Sequence, residues 1–168
     1  MINRPWLRLC LAQSTWLYYS NTISDAEPPQ RKQYYVPLER YMDNLRLMIS
    51  DLLEMGTPRL VLITPPPTRQ TRQPERRYLY RTAMISVAKE MDVFVLDTWS
   101  LFLNKTQGLA SYETMDSISM RDYDDAIMKA YLIDEEHYNS AGNQRHWLGL
   151  SNLIKAQYPE AWPWDQCL

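Results

Sequence analysis

Asp134 and His137 stand three residues apart in the run Asp134-Glu135-Glu136-His137-Tyr138-Asn139-Ser140-Ala141-Gly142-Asn143, just ahead of an apolar helical pattern. Histidine takes up and releases protons near neutral pH more readily than any other unperturbed side chain. If the loop turns back before the helix, the carboxylate meets the imidazole. It then fixes the ring's tautomer and stabilises its protonated form, which equips His137 as a general base. An acid and a base so arranged are two members of a Ser-His-Asp constellation. The same residues also suit a surface loop whose acids simply favour the dipole of the following helix. The other histidine, His146, falls inside the helical pattern and reads as a surface or boundary residue.

The elements around this run follow from periodicity. From Val36 to Met55, Leu38, Tyr41, Leu45, Met48 and Leu52 recur at three- and four-residue steps, with Pro37 in the first turn and Gly56 at the stop. That pattern predicts an amphipathic helix. Arg59-Leu60-Val61-Leu62-Ile63-Thr64 is a short apolar run ended by Pro65-Pro66-Pro67, the signature of a buried parallel strand. A second helix is expected from about Pro74 to Met91, with Tyr80, Met84, Val87 and Met91 inward. Val93 to Asp97 reads as a second buried strand, followed by a short helix over Thr98 to Leu103. Residues 104 to 125 show no clear period and are expected to form a surface excursion. The last helix spans about Ser140 to Gln157, with Trp147, Leu150 and Ile154 inward. Ser14 to Ser20, rich in aromatics, reads as a further strand. Helices alternating with strands through short connections indicate an α/β layered domain with a parallel sheet.

Composition narrows the function classes. The chain has 168 residues, enough for one domain with a core, and 45% hydrophobic residues. A net charge of -2 gives no basic footprint for nucleic acid. Cys10 and Cys167 sit near opposite ends, with no metal-like or disulfide-framework spacing, as expected of a cytoplasmic chain. Met1 to Ala12 is too short and interrupted for a secretory leader, and no apolar run approaches a membrane span. Arg69, Arg72, Arg76, Arg77 and Arg81, with Glu75, read as a solvated helix face rather than an anion site. Trp162, Pro163 and Trp164 are expected to pack the tail onto the domain.

Val36-Pro37-Leu38-Glu39-Arg40-Tyr41, then Leu62-Ile63-Thr64-Pro65-Pro66-Pro67, then Asp134-x-x-His137-x-Asn139-x-x-Gly142-Asn143 resembles, in this order, the SGNH (GDSL-like) ester hydrolases. The likeness leans toward the isoamyl acetate-hydrolysing esterases. It covers about residues 16 to 158 of a single domain running from 1 to 168, with 1 to 15 atypical. The resemblance implies a flavodoxin-like three-layer α/β/α fold and hydrolysis of small acyl esters through a serine nucleophile. It implies no metal and no organic cofactor. By motif match, Asp134 carries over as the orienting acid and His137 as the base. Glu135 stands where the family usually has glycine.

The rest of the family site has no clear counterpart. No glycine precedes Gly56, so the Gly-Asp-Ser motif and the oxyanion glycine are not found upstream of the first matching helix. Against the family's Gly-x-Asn-Asp segment, Ser24 stands where asparagine belongs, and Asn21 lies three positions away. An asparagine donor at that position contributes on the order of 3 kcal/mol to the transition state. The nucleophile is unassigned, Ser14, Ser20 and Ser24 being the early serines. Loss of a triad serine lowers turnover by about six orders of magnitude. The expectation is therefore a truncated fold with a reduced parallel sheet, retaining strands near 16–20, 60–64 and 93–97 of the order 2-1-3-4-5. Such a chain is catalytically impaired, or is a degenerate homologue acting as an interaction protein. Its uncovered edge strand invites self-association.

Overall fold

Tyr41, Leu45 and Ile49 lie on one buried stripe of a helix, α1 (Leu38–Glu54), with Leu38 half-buried against it. The structure is a computed structural model and describes residues 36–57, 59–72, 74–103, 106 and 110–161. Pro37 precedes α1 with φ −53°, already suited to helix entry. At the other end Gly56 takes φ +74°, its amide bonds Leu53 O, and the Thr57 amide bonds Leu52 O. These are the two crossed bonds of a Schellman stop, and glycine adopts the left-handed conformation without a Cβ penalty.

The chain then enters β1 (Val61–Ile63), crosses through α2 (Pro74–Met91), and returns as β2 (Phe94–Leu96). The strands are parallel neighbours in the register Val61↔Phe94, Leu62↔Val95 and Ile63↔Leu96. Side chains alternate across a strand, and the core divides accordingly. Leu62 and Val95 join Tyr41, Leu45, Ile49, Met84 and Val87 on one side. Val61, Ile63 and Leu96 join Trp99, Phe102, Met128, Leu150, Leu153 and Ile154 on the other. Thus α1 and α2 cover one face of the sheet. The other face is covered by α3 (Thr98–Leu103), α5 (Asp125–Tyr131) and α6 (Ser140–Gln157). This is the three-layer α/β/α arrangement with a reduced parallel sheet, two strands being present among the described residues. The strand expected near 16–20 lies outside those residues, as do Trp162 and Trp164.

Three expectations need correction. The stretch 104–125 is not a bare excursion, because it contains α4 (Tyr112–Ser117), whose Met115 reaches the core, with Ile118 buried just beyond. Six residues are too few to show a helical period, and the local signal is the Ser111 cap, which accepts from the Thr114 amide. Trp147 does not face inward and is 55% exposed. The buried stripe of α6 runs through Gly142, Gly149, Leu150, Leu153 and Ile154, and at about 100° per residue Trp147 falls on its margin. Finally, the arginines are not a solvated face: Arg77 and Arg81 are buried. Arg81 donates from Nε to Asp97 Oδ1 at 2.8 Å and from Nη2 to Oδ2 at 2.7 Å, linking α2 to the end of β2. Planar, two-pronged pairing of this kind suits guanidinium better than ammonium.

Candidate active site

Asp134 and His137 occupy the loop between α5 and α6, and this loop folds back on itself. Leu132 and Tyr138 form an isolated antiparallel bridge. The Ile133 amide donates to His137 O at 2.8 Å, and the Asn139 amide to Tyr131 O at 2.9 Å. Inside the turn, Asp134 Oδ1 accepts from the Glu136 amide at 2.7 Å and from the His137 amide at 2.8 Å. An aspartate bonding main-chain amides just ahead of it is a local device that needs no tertiary partner. It leaves Oδ2 directed at the ring, 2.7 Å from His137 Nδ1.

The electrostatics follow from those contacts. The His137 amide, then the Glu136 amide and the His137 side chain, hold the Asp134 carboxyl well below the usual carboxylate range. An ionised carboxylate only accepts hydrogen bonds, so Nδ1 carries the proton and the Nε2 lone pair is left for an incoming proton. The two side chains are 53% and 72% exposed, so the pair lies open on the surface. The arrangement can accept a proton from a hydroxyl brought to Nε2 and stabilise the resulting imidazolium.

Several neighbours hold the loop in place. The Arg69 amide, in the segment leaving the carboxyl end of β1, donates to Glu135 O at 3.0 Å. The loop therefore sits at the sheet edge where open α/β folds carry chemistry. Asn139 caps α6 by accepting from the Gly142 amide, and its Nδ2 donates to Ala130 O. Arg77 Nη2 also donates to Glu136 Oε1 at 3.1 Å, and neither this contact nor that of Arg69 has a sequence signal, since the partners are remote in the chain. Ser24 and Asn21, the oxyanion candidates, lie outside the described residues, as do Ser14 and Ser20. Among the described residues, no group of three or more His, Cys, Asp or Glu side chains is placed to hold a metal. A cleft of about 250 Å³ lined by Tyr78, Arg81, Ile85, Lys89 and Met115 does not include the pair.

His146 is half-buried on α6, its ring 5.5 Å from that of Tyr138 and edge-on to it. Burial holds its imidazole below the ordinary value of 6.5. Because the folded value is the lower one, this group contributes stability above about pH 6.5 that is lost as pH falls through the folded value. Thermal unfolding followed from about pH 7 to about pH 5 is expected to show a falling midpoint. His146→Phe, which keeps the ring contact and removes the titration, is expected to flatten that fall.

No protein-family model matches the chain. Its sequence is similar to the isoamyl acetate-hydrolyzing esterase 1 homolog of Mus musculus, 27% identical over 160 residues that cover 86% of this chain and 55% of that protein. The corresponding protein of Rattus norvegicus is 32% identical over 108 residues, 55% of this chain and 42% of that one. The chain thus spans about half the length of these relatives. Among solved structures, the fold is similar to the lipase/acylhydrolase of Enterococcus faecalis, with a TM-score of 0.51 at 17% identity over 82% of this chain and 58% of that one. It is also similar to an acetylxylan esterase of Geobacillus stearothermophilus, with a TM-score of 0.53 at 18% identity over 89% and 57%. With its three-layer fold and the Asp-His loop at the sheet edge, the chain is thus similar in sequence to the isoamyl acetate-hydrolyzing esterase 1 homologs and in fold to the lipase/acylhydrolase and the acetylxylan esterase.

Proposed function

We propose that residues 1–168 act as one domain carrying the acid–base half of an ester-hydrolase site, and that this chain by itself turns over small acyl esters poorly or not at all. His137 is the general base and Asp134 its orienting acid. The observation that carries the reading is the 2.7 Å contact of His137 Nδ1 with an Asp134 carboxylate already pinned by two main-chain amides. In a complete site, Nε2 takes the proton of a serine hydroxyl as its oxygen attacks the ester carbonyl. The imidazolium, stabilised by Asp134, then protonates the departing alcohol, and water repeats the cycle on the acyl-enzyme. The sequence contains no Gly-Asp-Ser run to supply that serine. Ser24 and Asn21 are the weak oxyanion candidates. The substrate class is small acyl esters, without nucleic acid and without a cofactor, in a cytoplasmic setting. No helix among the described residues is long and apolar enough to cross a membrane.

A second reading, a non-catalytic interaction protein, is favoured by exposed apolar side chains on α1, Leu47 at 63% and, just past its end, Met55 at 66%. Self-association through such surfaces or an open strand edge belongs to it. One preparation tests both. Hydrolysis of p-nitrophenyl acetate is expected at equal background rates for the chain and for His137→Ala, with concentration-dependent elution on size exclusion. A rate that falls in His137→Ala would show a working nucleophile and overturn the impairment. Elution as a monomer at every concentration would remove the interaction reading.

A further inference from the structure

We propose that Arg77 is a positioning residue for His137, acting through its ion pair with Glu136. The inference rests on reading His137 as the base and identifies what holds that base in place. Glu136 lies inside the turn, between the acid and the imidazole, and its amide is one of the two that Asp134 Oδ1 accepts. Its carboxylate points away from the pair and into the domain, where Arg77 Nη2 of α2 donates to Oε1 at 3.1 Å. These two side chains are 7% and 17% exposed, in contrast to the open Asp134 and His137. A largely buried ion pair is screened far less than a surface one, and removing one partner leaves the other charged and desolvated. An exposed acid–base pair is thus fastened to the core by the residue between its members.

The remaining residue of the turn is fastened in a different way. Glu135 is held through its carbonyl by the Arg69 amide. Arg69 is itself fixed by two bonds to Asp125, at 2.8 and 2.7 Å, and Asp125 also accepts from the Gln70 amide and from Tyr123 Oη. That anchor is made by the main chain at position 135. The anchor at 136 requires a carboxylate facing a cation, 59 residues away in the chain. Substitution can therefore remove the second while leaving the first intact.

The test is nuclear magnetic resonance of the full chain, reading the His137 tautomer from its ring nitrogens and the exchange rate of its amide. In the wild type, Nδ1 is expected to be protonated and the amide protected. Arg77→Gln is expected to lower the Nδ1-protonated fraction and to speed His137 amide exchange by about tenfold, while core amides such as Leu45 keep their rates. Glu136→Gln is expected to act in the same direction, and Arg77→Lys, which keeps the charge, to recover most of the protection. Unchanged His137 signals in both neutral variants would overturn the proposal. If Arg77→Gln loosens every amide, Glu136→Gln decides: selective loosening at His137 supports the role, and an unchanged His137 overturns it. These readouts need no turnover, so an inactive chain leaves the inference standing. A wild-type His137 lacking the proton on Nδ1 would instead sink the functional reading.

Discussion

Replacing Asp97 by alanine is expected to lower the stability of the domain by about 3–5 kcal/mol, the usual result of removing one partner of a buried ion pair. Its side chain is fully buried and that of Arg81 nearly so, at 0% and 2% exposure. Besides the two bonds from Arg81, the carboxylate accepts from the Trp99 amide at 3.2 Å, the Ser100 amide at 3.3 Å, and the Ser100 hydroxyl. It thus caps α3 as well as compensating a charge. In a domain of this size the loss corresponds to a fall in Tm of roughly 10 °C. Arg81→Met combined with Asp97→Leu is expected to recover part of it, since no lone charge is left in the core. The α3 cap stays lost at about 1 kcal/mol. Urea unfolding of the three proteins checks both values, and a single variant as stable as the wild type would show that the pair contributes nothing.

Gly142→Ala is the second large effect, and it acts on the site loop. A Cβ there would lie 2.3 Å from Tyr131 O and 3.1 Å from both Cβ and Cδ1 of Tyr138. The carbonyl is main chain and already accepts from the Asn139 amide, so it cannot step aside without opening the turn. Alanine gains up to about 1 kcal/mol in helix propensity over glycine. Overpacking of a closed contact costs about 1–3 kcal/mol or more, so the clash wins and destabilisation of about 1–2 kcal/mol is expected. The His137 Nδ1 proton signal should shift in the same variant. Gly149→Ala is the comparison: its Cβ would meet side-chain atoms alone, both Cδ of the buried Leu101 at 2.8 Å and its Cγ at 3.4 Å, so it leaves the main chain of the site loop untouched. Equal melting points for Gly142→Ala and the wild type would refute the close approach.

Much of this architecture was legible in the sequence because the interactions that build it are short-ranged. The bounds of α2 and α6, the Gly56 stop, and the apolar runs of β1 and β2 all follow from periodicity and punctuation within about twenty residues. The Asp134–His137 contact belongs with them, since a three-residue spacing and two amides of the same turn suffice to form it. By contrast, α4 and α5 are too short to show a period, and their inward residues are recognised only once the sheet has given them a surface to cover.

By itself, then, the sequence determined the alternation of helices and strands, the family likeness, and the pairing of acid with imidazole. The tertiary structure alone decided which charges are buried. Arg81 meets Asp97 sixteen residues on and Arg77 meets Glu136 fifty-nine residues on, and neither pairing can be read from spacing along a helix. Burial of a cation is tolerated only where folding delivers a carboxylate to it. The arginines that read as a solvated face therefore became, once folded, the struts between helix α2, strand β2 and the loop that carries His137.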